Sequence, residues 1–278
     1  MICQFFTVLF VPEPQTAFIA EGKPHTRLSL RDAFTKIRSG MEDTVKNKNI
    51  LIVTGGNVDT RWAKKWLLRQ AEEKSPFDYC IAADSGLESA DLLGLKVDYL
   101  IGDYDSVNAE LLARYRGEVD NAVFPREKDY TDTELAVKTA IKLIKEETVG
   151  GLQAGNVCVT ILGASGTRLD HTLANIGLLS QFEEAGIKAF IIDKNNRVRM
   201  ISGESQVTIS IRKQFGNYIS CIPLTPEVRG LTMKGFKYGL DDYELVQGVS
   251  ICVSNEITED EGVIKISSGK MLVIESRD

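Results

Sequence analysis

The chain has 278 residues, enough for one or two domains with a sizeable core. Hydrophobic residues make up 43% and charged residues 26%, a globular balance, and the formal net charge of −6 argues against a general nucleic-acid binder, whose footprint is basic. The longest apolar run near the start, Phe5 to Val11, is too short to span a bilayer and has no Lys or Arg before it, so neither a transmembrane helix nor a signal peptide is expected.

Residues 1–48 lack sustained periodicity and carry the breakers Val11-Pro12-Glu13-Pro14 and Gly22-Lys23-Pro24. They read as an extension of unknown role, with one short helix near Ser29 to Arg38. From Asn49 the pattern becomes regular. The apolar run Ile50 to Val53 predicts a buried strand ending at Gly55-Gly56, and a helix follows from about Asp59 to Lys74. Four strand–helix pairs come next. Tyr79 to Ala83 leads to Ser85 to Leu93, and Asp98 to Ile101 leads to Val107 to Arg116. Ala122 to Phe124 leads to Thr131 to Lys145, and Val157 to Leu162 leads to Asp170 to Glu184. Strand Lys188 to Ile192 closes the series. Short apolar strands alternating with helices predict an α/β domain over 49–195, a mostly parallel sheet with helices on both faces. After Asp193-Lys194-Asn195-Asn196 the pattern changes to short alternating segments: Gln206 to Ile211, Tyr218 to Ile222, Gly230 to Lys234, Val249 to Val253, Val263 to Ile266 and Met271 to Ile274. Residues 196–278 therefore read as a small all-β domain, a sandwich.

Several kinds of chemistry are excluded by the residue inventory. Cys3, Cys80, Cys158, Cys221 and Cys252 are odd in number and form no CxxC pair, which disfavours a disulfide framework and a structural zinc site and suits a reducing, cytoplasmic compartment. Only His25 and His171 are present, and there is no GxSxG, HExxH, Walker A or GxGxxG element. Catalysis must rest mainly on carboxylates.

In open α/β sheets ligands bind beyond the carboxyl ends of the strands. Four consecutive strand ends here offer acids, small residues and one arginine: Asp84-Ser85-Gly86, Gly102-Asp103-Tyr104-Asp105-Ser106, Glu127 to Glu134, and Gly163 to His171. Asp103 and Asp105, two apart on extended backbone, point the same way, and converging carboxylates repel unless a cation sits between them. A hard cation such as Mg²⁺ answers that repulsion, whereas helix capping explains each Asp taken singly. Thr131 and Glu134 fit a capping box that starts a helix at Thr131, placing Asp132 in its first turn, with Lys128 upstream as a possible phosphate contact. Acids in a first turn also simply suit the helix dipole. Arg168 can fork onto phosphate oxygens and Asp170 can join the metal cluster, or the two can form a surface salt bridge. His171 and Asn175, four apart on one helix, can pair, but His171 reads better as a helix-start residue with a local hydrogen bond. Taken alone, Asp84-Ser85-Gly86 reads better as an ordinary N-cap, and Gly55-Gly56-Asn57 as a turn. The whole set suits phosphoryl or pyrophosphoryl transfer, which needs charge neutralisation and in-line positioning more than a strong base.

In order and spacing these elements resemble the thiamine pyrophosphokinase family. The resemblance rests on Ala83 to Gly86, Gly102 to Ser106, Lys128 to Glu134, Gly163 to His171 with Asn175, Gly235 to Tyr238 and Val253 to Glu256, and it runs from about Asn49 to the end. It implies transfer of pyrophosphate from ATP to the thiamine hydroxyl, with Mg²⁺, by a homodimer whose sites combine both domains and both subunits. Carried over, Asp103, Asp105 and Asp132 would hold Mg²⁺ and Asp84 would support them. Lys128, Thr131, Arg168 and Asp170 would contact the ATP phosphates or their metal, and Tyr238, Ser254 and Asn255 would border the thiamine. An acidic rim and a tyrosine face suit the thiazolium cation. No membrane or nucleic-acid partner is implied. The extension 1–48 has no family counterpart, and Cys252 stands where a small or hydroxyl residue is common. Three other readings remain. Asp103-x-Asp105 after a strand also resembles a haloacid-dehalogenase nucleophile motif, which would make the chain a Mg²⁺-dependent phosphohydrolase, although that motif usually follows the first strand. The same pyrophosphoryl chemistry could serve another alcohol such as a pterin, or the domain could bind nucleotide or thiamine as a sensor.

Overall fold

A computed structural model describes residues 48–73, 77–104, 107–116, 119, 122–123, 130–149 and 157–278. The helix expected near Ser29 to Arg38 lies outside them, as do Asp105, Phe124 and Lys128. In chain order the first half comprises β1 (Lys48–Val53), α1 (Thr60–Glu73), β2 (Tyr79–Ala83), α2 (Gly86–Leu93), β3 (Tyr99–Ile101), α3 (Ala109–Arg116), β4 (Ala122–Val123), α4 (Asp132–Val149), β5 (Val157–Leu162), α5 (Leu169–Gly177), α6 (Leu179–Glu184) and β6 (Lys188–Ile192). The second half comprises β7 (Asn196–Ser202), β8 (Ser205–Ser210), β9 (Tyr218–Pro223), β10 (Glu227–Lys234), β11 (Leu240–Val246), β12 (Glu261–Ile266) and β13 (Lys270–Ser276).

Strands β1, β2, β3, β5 and β6 are largely apolar on both faces because both faces are covered. Ile50 and Ile52 of β1 join a core with Ala136, Val137, Ala140 and Ile144 of α4 and Leu179 and Phe182 of α6. Leu51 and Val53 point the other way, into a core with Ala63 and Leu67 of α1, Leu87 and Ala90 of α2, and Leu112 of α3. The helical spacings, Ala63 to Leu67 and Ala136 to Ala140 to Ile144, are those of one buried stripe. The strand order is β4-β3-β2-β1-β5-β6-β7-β13-β9. Pairing is parallel from β4 through β6. The chain builds outward from β1 to β4, then returns to place β5 on the other side of β1, so the direction of winding reverses between β1 and β5.

Pairing turns antiparallel at β6–β7 and stays so through β13 and β9. The main sheet therefore runs without a break past residue 195. A second sheet, β11-β10-β12-β8, is wholly antiparallel and shares a core with β9 and β13, through Val207, Ile209, Leu231, Met233, Ile264 and Ile266 on one side and Ile219, Cys221, Met271 and Val273 on the other.

Three local expectations are corrected. The helix expected over Asp170 to Glu184 is two helices broken at Leu178. The Ser180 hydroxyl donates to the Gly177 carbonyl there, and Gly177 adds no side chain to hold the turn. Strands β7 and β11 were not among the expected segments. In β7 the alternation is masked by Arg197 and Arg199, which lie over the Phe190 ring. β11 is an acidic edge strand in which Leu245 alone is buried. Residues Val249 to Val253, apolar enough to suggest a strand, instead turn, with Val253 N–H donating to the Ser250 carbonyl, and Val249, Ile251 and Val253 are exposed.

Candidate active site

The carboxyl ends of β1, β2, β3 and β5 stand side by side, so the loops read as chemical from sequence arrive at one rim. Asp84 leaves β2 at φ 48° and its N–H donates to the Ile101 carbonyl of β3 at 2.8 Å. Gly102 follows β3 at φ 135°, a backbone that side chains rarely tolerate. A Cβ built on Gly102 would lie 3.3 Å from Asp132 Cγ and 3.3 Å from Asp84 Cα. Glycine at 102 thus lets the β2 loop and the first turn of α4 close together, bringing Asp84 and Asp132 to one place. Thr131 caps α4 as expected, its hydroxyl accepting from Glu134 N–H at 3.2 Å. Glu134 does not return the capping bond; its carboxylate binds Lys138 and Gln181.

Beneath this pair lies Tyr104, nearly buried and itself at φ 60°. Burial, and then the negative charges of Asp132 and Asp84, push its phenol well above the usual tyrosine range. The same carboxylates that hold the phenol neutral make this rim a site of concentrated negative potential. Asp103 is exposed beside it. All are hard oxygen donors, the chemistry a Mg²⁺ ion takes. Among the described residues no three acid, histidine or cysteine side chains already converge as a metal cage. Asp105, expected as a ligand, and Lys128, expected at the phosphates, lie outside the described residues.

The strap from Gly163 to Arg168 is pinned from three directions. Gly56 N–H donates to the Gly163 carbonyl at 2.8 Å and Asn57 N–H to the Ser165 carbonyl at 2.9 Å. A Cβ on Gly56 would fall 2.1 Å from the Gly163 oxygen, so glycine is required for that approach. The buried Asn175 amide donates to the Ala164 carbonyl at 2.9 Å, and the Ser165 hydroxyl donates to Asp193 at 3.0 Å. The other oxygen of Asp193 is taken by the N–H groups of Asn195 and Asn196. Asn175 therefore holds the strap, a role the sequence did not suggest for it. Gly56, Asn57 and Asp193 were passed over as turn and linker residues. Their signal was the turn chemistry of Gly-Gly-Asn and Asp-Lys-Asn-Asn at strand ends.

Beyond the strap, Arg168 forks onto Asp170, with Nε to Oδ1 at 3.2 Å and an η nitrogen to Oδ2 at 2.6 Å. Both side chains are exposed. The guanidinium, with help from His171 N–H, draws the Asp170 carboxyl down to about 2. Arg168 and Asp170 thus take the salt-bridge alternative.

The residues expected at the thiamine lie together in a second place. The Asn255 side chain is buried and works as a backbone mimic. Its Nδ2 donates to the Tyr238 carbonyl at 2.8 Å, and its Oδ1 accepts from Tyr238 N–H at 3.1 Å and from Glu256 N–H at 2.9 Å. With its amide oxygen doubly used, Asn255 clamps Tyr238. The Tyr238 ring itself is exposed, with the Lys237 ammonium 5.7 Å from its centroid. Ser254 sits at φ 57°, its N–H held by the Ser220 hydroxyl at 3.0 Å.

Comparison with known proteins agrees with this arrangement. A family model described as thiamin pyrophosphokinase, catalytic domain, matches residues 68–191, and one described as thiamin pyrophosphokinase, vitamin B1 binding domain, matches residues 205–273. A thiamine pyrophosphokinase of Bacillus subtilis is 32% identical over 179 residues, 64% of this chain and 77% of that protein. The crystal structure of a B. subtilis thiamine pyrophosphokinase superposes with a TM-score of 0.68 at 28% identity, covering 83% of this chain and 100% of its own. That of a Geobacillus thermodenitrificans thiamin pyrophosphokinase gives 0.66 at 27%, covering 83% and 98%. The Candida albicans thiamin pyrophosphokinase, 17% identical with a TM-score of 0.65 and covering 88% of this chain and 91% of its own, shares the fold. On motif order, the placement of Asp84, Gly102 and Asp132, and these matches, the chain belongs to the thiamine pyrophosphokinase family.

Proposed function

We propose that the chain transfers the pyrophosphoryl group of ATP to the hydroxyl of thiamine, giving thiamine diphosphate and AMP, at the rim built by the ends of β2, β3 and β5. The observation that carries this reading is the approach of Asp84 and Asp132 across Gly102, beside Asp103. Asp103, Asp105 and Asp132 would hold Mg²⁺, with Asp84 in support. The ion, when bound, neutralises phosphate oxygens as charge shifts during transfer. Thr131 stands at the start of α4, where backbone N–H groups favour anions, and Lys128, upstream in the sequence, would add its charge to the phosphates. Arg168 would exchange its fork on Asp170 for the phosphates, leaving Asp170 to the metal or its waters. Phosphoryl transfer of this kind asks for position and charge balance, so the scarcity of histidine is no obstacle.

We assign the donor and metal to residues 49–195 and the thiamine to residues 196–278. Tyr238, oriented by Asn255, offers an aromatic face to the thiazolium cation, with Ser254 beside it. We also propose a homodimer, supported by apolar side chains left in solvent: Leu169 and Leu173, four apart on α5, and Val249, Ile251 and Val253. A reducing compartment suits the free thiols of Cys80, Cys221 and Cys252. Among the described residues no helix is long and apolar enough to cross a membrane.

The test is AMP formation by the purified protein with ATP and Mg²⁺, with and without thiamine. Thiamine-dependent AMP with thiamine diphosphate as co-product is the expected result. Phosphate release from a generic ester without ATP would replace this reading with the phosphohydrolase, and AMP formation with a pterin alcohol alone would change the acceptor.

A further inference from the structure

At the edge of the main sheet opposite the candidate active site, a cleft of 300 Å³ opens where β6 begins and β7 ends. β6 runs parallel to β5 and β7 antiparallel to β6. Lys188, the first residue of β6, therefore lies a full strand, roughly 16 Å, from the rim that carries the loops after β2, β3 and β5. Ser205 and Gln206, the first residues of β8 in the second sheet, line one side of the cleft, and Glu183 of α6 lines the other. Nothing in the proposed reaction uses it.

Arg199 is the group in this cleft that the fold leaves unsatisfied. It shares a face of β7 with Arg197, two residues earlier, and both guanidinium carbons lie 5.6 Å from the centroid of the Phe190 ring. Their polar partners differ. Arg197 forks onto both oxygens of Glu275, and one of those oxygens also accepts from Phe215 N–H at 2.9 Å. Glu275 is thus committed. Among the described residues no carboxylate lies within ion-pairing distance of Arg199. Glu183, the carboxylate of the cleft, turns one oxygen to the N–H and hydroxyl of Ser202 at 3.0 and 3.1 Å. The end of α6 makes no call on Arg199 either, since the Phe182 and Glu183 carbonyls accept from the N–H groups of Ile187 and Gly186. Burial, more than the opposing pull of Glu275, sets the Arg199 guanidinium below the usual arginine range. A half-buried guanidinium without a counter-charge costs stability, and its planar fork of donors has the shape of an oxyanion's partner.

The rest of the cleft narrows the ligand class. Lys188, exposed at the mouth, adds a second cation, and Gln206 a side-chain amide. The Ser205 hydroxyl is spent on the Ser202 carbonyl. Two cations face one carboxylate, itself turned to Ser202, so an anion is favoured, and a dianion more than a monoanion. The volume stands at the low end of the roughly 300–1,000 Å³ range of ligand sites, which suits a phosphate ion or the phosphate of a short ester. We infer that this cleft is a second anion site of the chain, holding a phosphate group on Arg199 with Lys188 at its mouth. The site stands apart from the pyrophosphokinase reading. Arg199 belongs to the main sheet and Gln206 to the second, so a phosphate held between them would tie the two sheets together.

Calorimetric titration with sodium phosphate tests the site, without Mg²⁺ or nucleotide and with ionic strength held constant by sodium chloride. The catalytic rim also attracts phosphate, so the titration is made in Arg168→Ala, which removes the rim's arginine. In that background one phosphate should bind per chain. Adding Arg199→Met, which keeps an unbranched stem over Phe190, should raise the Kd at least tenfold, the loss expected for a charge-assisted pair of hydrogen bonds. Lys188→Glu, an exposed change at the mouth, should raise the Kd severalfold with the melting temperature unchanged, and it keeps the test decisive should Arg199→Met fail to fold. Glycerol 3-phosphate separates the sources of the group: tighter binding than phosphate assigns the site to an ester, and binding of phosphate alone assigns it to the free ion. No phosphate binding in Arg168→Ala, or a Kd that neither Arg199→Met nor Lys188→Glu moves, would overturn the inference and leave the pyrophosphokinase reading untouched.

Discussion

Gly102→Ala is the sharpest perturbation of the site because its cost can be worked from the backbone. At φ 135° Gly102 lies beyond the conformations an alanine takes readily. Holding a non-glycine residue in such a region costs about 1–3 kcal/mol. The new methyl would also meet Asp132 Cγ, Asp84 Cα and Asp84 N, each at 3.3 Å, so each neighbour must yield by a few tenths of an ångström. Two of the three contacts are backbone and cannot swing aside, so Asp132 must move. We expect a loss of about 2–3 kcal/mol, a fall in Tm of roughly 4–12 °C for a chain of this size, and a fall in kcat of at least tenfold. Gly94→Ala is the control. Gly94 has φ 67° and open space around its would-be Cβ. That change costs about 1–2 kcal/mol from conformation alone and should leave kcat unchanged. Thermal melts and AMP formation on both variants decide the matter. Gly102→Ala with wild-type kcat, or Gly94→Ala with an equal loss of kcat, would refute the claim that Gly102 sets the approach of Asp84 and Asp132.

Asp132→Asn should lower kcat by at least a hundredfold while the melting temperature stays within a few degrees, since the change keeps the shape and relieves like-charge crowding with Asp84; near-normal turnover would remove Asp132 from the metal. Arg168→Ala should raise the KM for ATP with little change in the KM for thiamine; an unchanged ATP dependence would contradict a phosphate role. Asn255→Ala should raise the KM for thiamine and cost roughly 1–3 kcal/mol, because the Tyr238 and Glu256 amides lose their buried acceptor; an unmoved KM would confine Asn255 to stability. For Tyr104 the folded phenol titrates above the unfolded value of about 10, so the folded state keeps a proton that the unfolded chain releases. Stability from this group is complete below pH 10 and declines above it, by at most about 1.4 kcal/mol per pH unit. Tyr104→Phe should flatten the alkaline limb of a denaturant-midpoint series, and parallel curves for the two proteins would count against the buried neutral phenol.

Much of this molecule is determined by the sequence alone. Short, β-branched apolar runs such as Ile50 to Val53, closed by glycines, read as strands covered on both faces, and their alternation with striped helices points to an α/β sheet. The site elements were legible for a related reason. In such a sheet the residues after each strand must reach one rim, so Asp84, Asp103, Asp132 and Arg168 could be grouped before any coordinate was known. Capping by Thr131 was local and readable too.

What the sequence withheld depends on partners distant along the chain. β7 is masked by Arg197 and Arg199 because the partner that makes a buried charge tolerable, Glu275, comes 78 residues after Arg197, at 2.5 Å from it. Val249 to Val253 carries strand-like residues and touches β9, whose Cys221 N–H donates to the Cys252 carbonyl, but Val253 N–H turns back to Ser250, and the alternation rule cannot see that turn. The continuity of the main sheet from β6 into β7, β13 and β9 is likewise a matter of pairing, to which local composition is blind. The same holds for the finest points of the site. That Asn175 holds the strap, that Asn255 clamps Tyr238, and that Gly102 lets the Asp132 side chain close on the Asp84 backbone are each decided by a neighbour 11, 17 or 30 residues away. Hydrogen-bond satisfaction and excluded volume act through space, so only the folded chain assigns them.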